Sequence, residues 1–537
     1  MGLKPWNKNF KKLLGVNYVP VKGINYLPSI SLQEFRKDIA KAKSLNVNAL
    51  RIPLVGVVKP DGSLDLGLLE HYNKLVCVAK QEGFFVEVIA FAIALSGKNF
   101  YLKNTNFFTD KENIECQRKL LRMLDENACI DMIDLFNEPD WYRFPLFPSY
   151  NHVSRMQAKA WVKTLKSCVK NKPVTIGLAS NYIFPHAFIP WELDIDVISY
   201  HYYWIYRSYY PLRNFSSLGM SRPDLDLAEA EFLLSMPRQG RKVYLQELGV
   251  SDWKVFKRSS SVKNFQHVLL GLLPFYADKD FLGVSFWTLN DVTAREHPYN
   301  KYGFERKFGL YQGSKPKPIA RVVKKFSKML SIVERFKRPK PDVAMLLPRV
   351  VDVDRGRFKD ALYMARPYIE VYHYLRRIGL PSIDLITSVN QARNYKVVIA
   401  PKLNDLSIVE NLANNVRVVA SLDWKVWLRK LLSKPKLKNL ELVPPLEQIA
   451  WLLSSENAFK LLKPYSIVKQ FLSLEFEKDC SQAYVSWLES KQKPKREWLL
   501  IVSNLSFKPV TTIIKRSSKH KTVKLKPRDT KIIKWKA

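Results

Sequence analysis

Asp131-Met-Ile-Asp-Leu-Phe-Asn-Glu-Pro-Asp140 is the stretch that decides the fold. An apolar run leads into Asn137-Glu138, and Pro139 ends it, because proline has no N–H to give a β-ladder. The segment reads as a buried strand with a carboxylate at its C-terminal end. Val243-Tyr-Leu-Gln-Glu-Leu-Gly-Val250 has the same form and carries Glu247 near its end. Two glutamates at the ends of two strands call for a fold that gathers strand C-termini on one rim. A (β/α)8 barrel does this, since its βα loops all lie on that face.

Working outward, short apolar or β-branched runs alternate with amphipathic stretches from Leu13 to Leu330. Strands are expected at Leu14–Val19, Ala49–Leu54, Phe84–Phe91, Met132–Phe136, Val174–Ala179, Val197–Tyr202, Val243–Gln246 and Gly283–Thr288. Helices are expected between them at Ser31–Leu45, Leu66–Gln81, Lys111–Asp125, Val153–Val169, Leu225–Leu234 and Val262–Tyr276. Ser31-Leu-Gln-Glu34 has the form of a capping box, which marks the first helix start. Eight strands with intervening helices fit the barrel. The rival is a doubly wound open sheet, but no G-x-G-x-x-G follows the first strand. Arg51, Asn137, Glu138, His201, Tyr203, Glu247 and Trp287 all fall within or near the last residues of their strands, where a barrel carries its chemistry.

Pro339-Lys-Pro341 marks a boundary, so the barrel is expected over residues 1–335. Residues 341–436 alternate strands and helices like a small parallel, flavodoxin-like α/β domain. Residues 437–537 read as a partly helical connector followed by a β-sandwich of short alternating runs.

Composition narrows the classes. A hydrophobic content of 47% with 25% charged residues belongs to a globular protein, not a disordered one. The longest apolar run, Phe84 to Leu95, contains Glu87 and is too short to span a bilayer. Met1 to Phe10 lacks a signal-peptide core, so the cytoplasm is the expected location. The net charge of +38 invites nucleic acid as a partner, but residues 51–300 hold 29 basic and 27 acidic side chains. Residues 301–537 carry +29 of the excess, so a solvated basic surface is the preferred reading. The five cysteines are scattered without a C-x-x-C pair, which implies neither a zinc site nor a disulfide framework. Buried reduced thiols, no metal and no cofactor are expected.

Two carboxylates on one rim are what glycosidic cleavage needs. One must be protonated to donate to the leaving oxygen, and the other ionised to attack the anomeric carbon. Asn-Glu-Pro after the fourth strand and a glutamate after the seventh resemble the clan of retaining barrel glycosidases that includes families 5, 2 and 42. Arg51, in Asn48-Ala-Leu-Arg-Ile-Pro53, resembles the strand-two arginine that supports the nucleophile. His201-Tyr-Tyr203 resembles the family 5 His-x-Tyr after strand six, whose tyrosine contacts the nucleophile. Trp287, in Val284-Ser-Phe-Trp-Thr288, resembles the tryptophan that floors the sugar subsite. Phe308-Gly-Leu-Tyr-Gln312 resembles the link to the last helix. The sequence departs from family 5 at strand three, which reads Val88-Ile-Ala-Phe-Ala-Ile93 where a histidine is usual. The order barrel, α/β domain, sandwich resembles family 42 β-galactosidases, whose middle domain supports trimers, so a homo-oligomer is among the expected partners.

The resemblance implies Glu138 as general acid/base and Glu247 as nucleophile. Arg51 would keep Glu247 ionised, and Glu247 would raise the pKa of Glu138. Asn137 would donate to a sugar 2-hydroxyl, and Trp287 would offer a flat apolar face. The expected activity is that of an exo-acting retaining β-glycosidase of the β-galactosidase, β-mannosidase or β-glucosidase type, acting on a β-linked oligosaccharide or glycoside. An endo-acting β-mannanase or β-glucanase is the alternative enzyme, with Trp141, Tyr142, Trp204, Tyr206, Tyr209 and Tyr210 as sugar-stacking aromatics for either. A catalytically inactive carbohydrate- or nucleic-acid-binding protein is the alternative of another class.

Overall fold

The computed structural model describes residues 12–59, 62–92, 107–139, 153–179, 188–203, 226–252, 262–295, 299, 303–347, 358–403, 416–422, 440–443, 463, 469, 477–478, 483–491, 497–504, 509–526 and 530–536. Eight parallel strands close a barrel in sequence order: β1 Leu13–Asn17, β2 Ala49–Pro53, β3 Phe85–Phe91, β4 Met132–Asn137, β5 Val174–Leu178, β6 Val197–Tyr202, β7 Lys242–Leu248 and β8 Phe281–Phe286. β1 pairs with both β2 and β8, so no edge is left open. Nearly every strand residue is buried, as expected where one face meets helices and the other fills the interior.

The helices around the barrel follow their sequence signals. Helix Leu32–Ser44 starts at the expected capping box, with the Ser31 and Glu34 side chains each bonded to the other's backbone N–H. It buries Phe35, Ile39 and Ala42, one stripe at helical spacing. The long helix expected over Val262–Tyr276 is broken instead into Val262–Gly271 and Leu273–Tyr276. Pro274 explains the break, since it lacks an N–H and its ring crowds the carbonyl one turn back.

Beyond the barrel, Val343–Leu346, Asp384–Ile386, Val397–Leu403, Arg417–Leu422 and Leu440–Val443 form one parallel sheet. Numbered along the chain, their spatial order is 2-1-3-4-5, the flavodoxin-like arrangement. Leu440–Val443 joins this sheet although it falls past residue 436, in a stretch whose composition reads as helical. Its pairing with Arg417–Leu422 is a tertiary contact that local propensity does not record.

The C-terminal region is two antiparallel sheets. One holds Ala483–Ser490, Glu497–Asn504 and Thr530–Lys536, with Phe336–Lys337 added at its edge from before the linker. The other holds Glu477–Lys478, Val510–Arg516 and Lys519–Leu525. Trp487, Trp498 and Trp535 from the first share a core with Ile514, Val523 and Leu525 from the second.

All three parts meet at Arg376, which is buried at the end of helix Phe358–Arg377. Its guanidinium forks onto Glu231 of barrel helix Asp226–Leu234, at 2.7 and 3.0 Å, and donates to Ser486 Oγ of the sandwich at 2.6 Å. Tyr372 and Ser235 add a hydrogen bond across the same junction.

The cysteines require a correction. Cys77 and Cys129 form a disulfide, so the expectation of reduced thiols fails for this pair. The partners are separated by 52 residues, and only the packing of helix Leu66–Gln81 beside the segment preceding β4 brings them together. Spacing along the chain gives no sign of that. Cys116 and Cys168 are not joined in a disulfide, and Cys480 lies outside the described residues.

Closing a loop of this length removes denatured-state entropy worth about 4 kcal/mol. Cys77→Ser is expected to lose about 2–4 kcal/mol in urea unfolding relative to the oxidised protein. Reduction of the wild type should reproduce that loss, and an unchanged midpoint under both treatments would refute the cross-link.

Candidate active site

The site begins with strand register. Asn17, Arg51 and Glu87 lie side by side on β1, β2 and β3. Arg51 is 1% exposed, so its charge must be met by protein groups alone. Nη1 donates to Asn17 Oδ1 at 2.7 Å and to Glu247 Oε1. Nη2 donates to Asp134 Oδ2 at 2.6 Å and to Asn137 Oδ1 at 2.8 Å, and Nε reaches the same Asp134 oxygen at 3.2 Å. Burial opposes the charge, but Asp134, Glu247 and Glu87 outweigh it and raise the guanidinium pKa further.

Two irregularities in the barrel make this convergence possible. Successive strand residues normally face opposite ways. The register of β6 against β7 passes from Tyr200↔Leu245 to His201↔Glu247, skipping Gln246. Gln246 and Glu247 can then both join the same polar cluster, although they are neighbours in sequence. Likewise β4 shifts against β5 between Asp134 and Asn137, and both side chains reach Arg51. Bulges of this kind re-aim side chains beside sites.

The seven residues singled out in the sequence occupy this rim. Glu247 accepts from Arg51 through Oε1 and from Tyr203 Oη through Oε2. Tyr203 fits there because Gly249 has no Cβ, which would lie 2.6 Å from the tyrosine ring. Glu138 takes φ +54°, a left-handed conformation rare for a side chain larger than glycine, and its N–H bonds Gly177 O at 2.7 Å. His201 Nδ1 stands 2.7 Å from Glu138 Oε1 and 3.4 Å from Glu247 Oε2. One donor atom from each of Glu138, His201 and Glu247 falls within 4.8 Å of the others. A cation drawn to that trio would have to sit beside the guanidinium that already partners Glu247. Trp287 is buried just past β8, with its backbone N–H on Leu248 O. The six aromatics from Trp141 to Tyr210 lie outside the described residues.

The environments separate the acids. Desolvation pushes Glu138 up to about 8, with Arg51 opposing. Burial pushes His201 down to about 4, against the pull of Glu247. Glu138 keeps 20% of its side-chain surface exposed against 4% for Glu247, so the protonated carboxyl is the one facing outward.

Four members of the cluster were not singled out in the sequence: Asn17, Glu87, Asp134 and Gln246. Asp134 accepts from Arg51, from Gln246 Nε2 at 3.1 Å, and from the N–H groups of Gly177 and Phe136. Gln246 Nε2 also donates to Glu87, and Gln246 Oε1 lies 3.0 Å from His201 Nε2. Burial, partly offset by Arg51, pushes Glu87 up to about 8. For Glu87 alone the sequence carries a signal, a charged residue inside an otherwise apolar strand.

No protein-family model matches the chain, and no curated protein matches it. Solved structures do. GH5_18 from Streptomyces cattleya, in complex with GlcNAc, aligns at TM-score 0.60 with 20% identity, over 73% of this chain and 99% of its own. The exo-β-1,4-mannosidase Op5Man5 from Opitutaceae bacterium strain TAV5 aligns at 0.61 with 16% identity, over 98% and 86%. The GH42 β-galactosidase Gan42B from G. stearothermophilus aligns at 0.63 with 11% identity, over 98% of both chains. The chain shares the fold of these glycosidases.

Gly177 offers a direct probe of the cluster. A Cβ there would lie 2.4 Å from Gln246 Oε1, 2.6 Å from His201 Nε2 and 3.0 Å from Arg51 Nη2. Gly177→Ala is expected to cost about 1–3 kcal/mol in denaturant unfolding, as overpacking of a filled interior does. A wild-type midpoint for the variant would show that the cluster has slack.

Proposed function

We propose that this chain is a retaining, exo-acting β-glycosidase with Glu247 as nucleophile and Glu138 as general acid/base. The observation that carries the reading is a carboxyl pair in contrasting environments, with an oxygen of each within 4.8 Å of the other. Retaining enzymes hold the two carboxyls about 5–5.5 Å apart, whereas inverting ones leave about 6.5–9.5 Å for a water. Glu247, held by Arg51 and Tyr203, attacks the anomeric carbon while Glu138 gives its proton to the leaving oxygen. Water then attacks the glycosyl-enzyme, and Glu138 takes the proton back. Asn137 has its carbonyl oxygen fixed on Arg51, which leaves its amide N–H groups for a sugar hydroxyl. Trp287 provides the stacking face.

A terminal β-mannoside is the preferred substrate class, and a β-galactoside the second. Among the solved neighbours, a GH5_18 structure in complex with Manβ1-4GlcNAc and the exo-β-1,4-mannosidase support the first at 16–19% identity. The family 42 β-galactosidase supports the second and covers nearly the whole chain.

A panel of nitrophenyl β-glycosides separates these sugars. On the hydrolysed member, kcat/KM should fall as pH rises through about 8, because the acid that must be protonated is lost there. An activity still climbing past that point would remove Glu138 from the acid role.

The two glutamates are distinguished by rescue. Glu247→Ala should lose turnover on every substrate, and azide should restore it with formation of the α-azide. Glu138→Ala should still be glycosylated by a dinitrophenyl glycoside and should accumulate the intermediate as a burst. Azide should then yield the β-azide. Swapped product anomers would reverse the assignment.

A further inference from the structure

We infer that Gln246 is a positioning residue that fixes the proton of His201 on Nε2, so that Glu138 must stand toward His201 as a hydrogen-bond donor. The inference rests on the reading of Glu138 as the acid, and it explains how the resting site holds that proton.

Asp134 fixes the orientation of the network. Its carboxylate lies on Arg51 and accepts from two guanidinium nitrogens and two backbone N–H groups. A carboxylate so placed can only accept. The Gln246 amide nitrogen faces it at 3.1 Å and also faces Glu87. Turning the amide over would set its carbonyl oxygen against the Asp134 oxygen, so the orientation is fixed by chemistry. Gln246 Oε1 is therefore the atom 3.0 Å from His201 Nε2, and an amide oxygen cannot donate. The proton belongs on Nε2.

The ring is fully buried, and desolvation holds it neutral down to about pH 4. A neutral imidazole with Nε2–H presents a lone pair at Nδ1. Glu138 Oε1 is 2.7 Å from Nδ1, so the hydrogen between them comes from the Glu138 carboxyl. Without Gln246 the balance would tip the other way, because Nδ1 lies between Glu138 and Glu247 at 2.7 and 3.4 Å and would gain from carrying the proton. The charged and titratable groups around the pair, among the described residues, are Arg51 on β2, Glu87 on β3, Asp134 on β4, Glu247 on β7 and Tyr203 just past β6. The amide converts their charge pattern into one tautomer.

Selective 15N-histidine labelling of the full chain reads the tautomer directly through two-bond 1H–15N correlations. The His201 signals are identified by their loss in His201→Gln. The wild type should show neutral Nε2–H from pH 5 to 8. Gln246→Met, similar in length but without the amide, should populate Nδ1–H. It should also move the alkaline limb of kcat/KM for a poor leaving group down by about one pH unit or more. Glycosylation by a dinitrophenyl glycoside, which needs little acid help, should keep its alkaline limb where the wild type has it. An Nδ1–H signal in the wild type, or Nε2–H retained unchanged in Gln246→Met, overturns the inference. The wild-type spectrum decides alone where Gln246→Met does not fold. Absence of glycosidase activity would end the proposed function, yet leave the spectrum to judge Gln246.

Discussion

Arg51 is a full positive charge enclosed by the barrel, and everything around it must satisfy that charge without water. Its donors meet Asn17, Asp134, Asn137 and Glu247, drawn from β1, β4 and β7. Four carboxyls nevertheless stand near one cation. Asp134 and Glu247 take its hydrogen bonds, while Glu87 stands off at 3.8 Å and Glu138 lies against His201, and the environments of these two favour the neutral form. Charge counting at one guanidinium thus divides the acids into acceptors and proton holders. That division is what an acid and a nucleophile sharing a rim require.

The backbone pays attention to this cluster in three places. β7 skips Gln246 in its pairing with β6, β4 shifts between Asp134 and Asn137, and Glu138 adopts a left-handed φ. A regular barrel would have turned Gln246 or Glu247 away into the helix layer. Gly177 supplies the missing volume, since the network fills the space that its side chain would occupy. Regular pairing is given up at the positions where side chains must converge.

How much of this could be read from the sequence varies with the kind of signal. The barrel was legible because eight apolar runs alternated with helical stretches, and the parallel α/β character of the next domain followed from the same alternation, whereas its strand order did not. Glu138 was legible because Pro139 ends its strand, and Glu247 because it lies near the end of a second apolar run of the same form. Asp134 and Gln246 were not, since a polar residue inside a strand looks the same whether it faces solvent, a helix or a network. Their direction is set by register shifts, which depend on the partner strand. Glu87 was visible as a charge within an apolar run but had no partner in sequence. The Cys77–Cys129 bond was hidden for the related reason that only helix packing makes it. The split at Leu272 was foreseeable from Pro274, whose consequence the apolar periodicity masked.

The buried contact of Arg376 with Glu231 and Ser486 bears on what a barrel cut from this chain would expose. Removing one partner from a buried ion pair typically costs about 3–5 kcal/mol, because the remaining charge is stranded without water. A barrel separated at the Pro339–Pro341 linker would keep Glu231 and lose its guanidinium, and it would also lose Tyr372 from Ser235. The sandwich would lose the edge strand Phe336–Lys337, which the chain supplies before the linker. A barrel without the other two parts would therefore carry, at its surface, the Glu231 and Ser235 side chains that the intact chain buries.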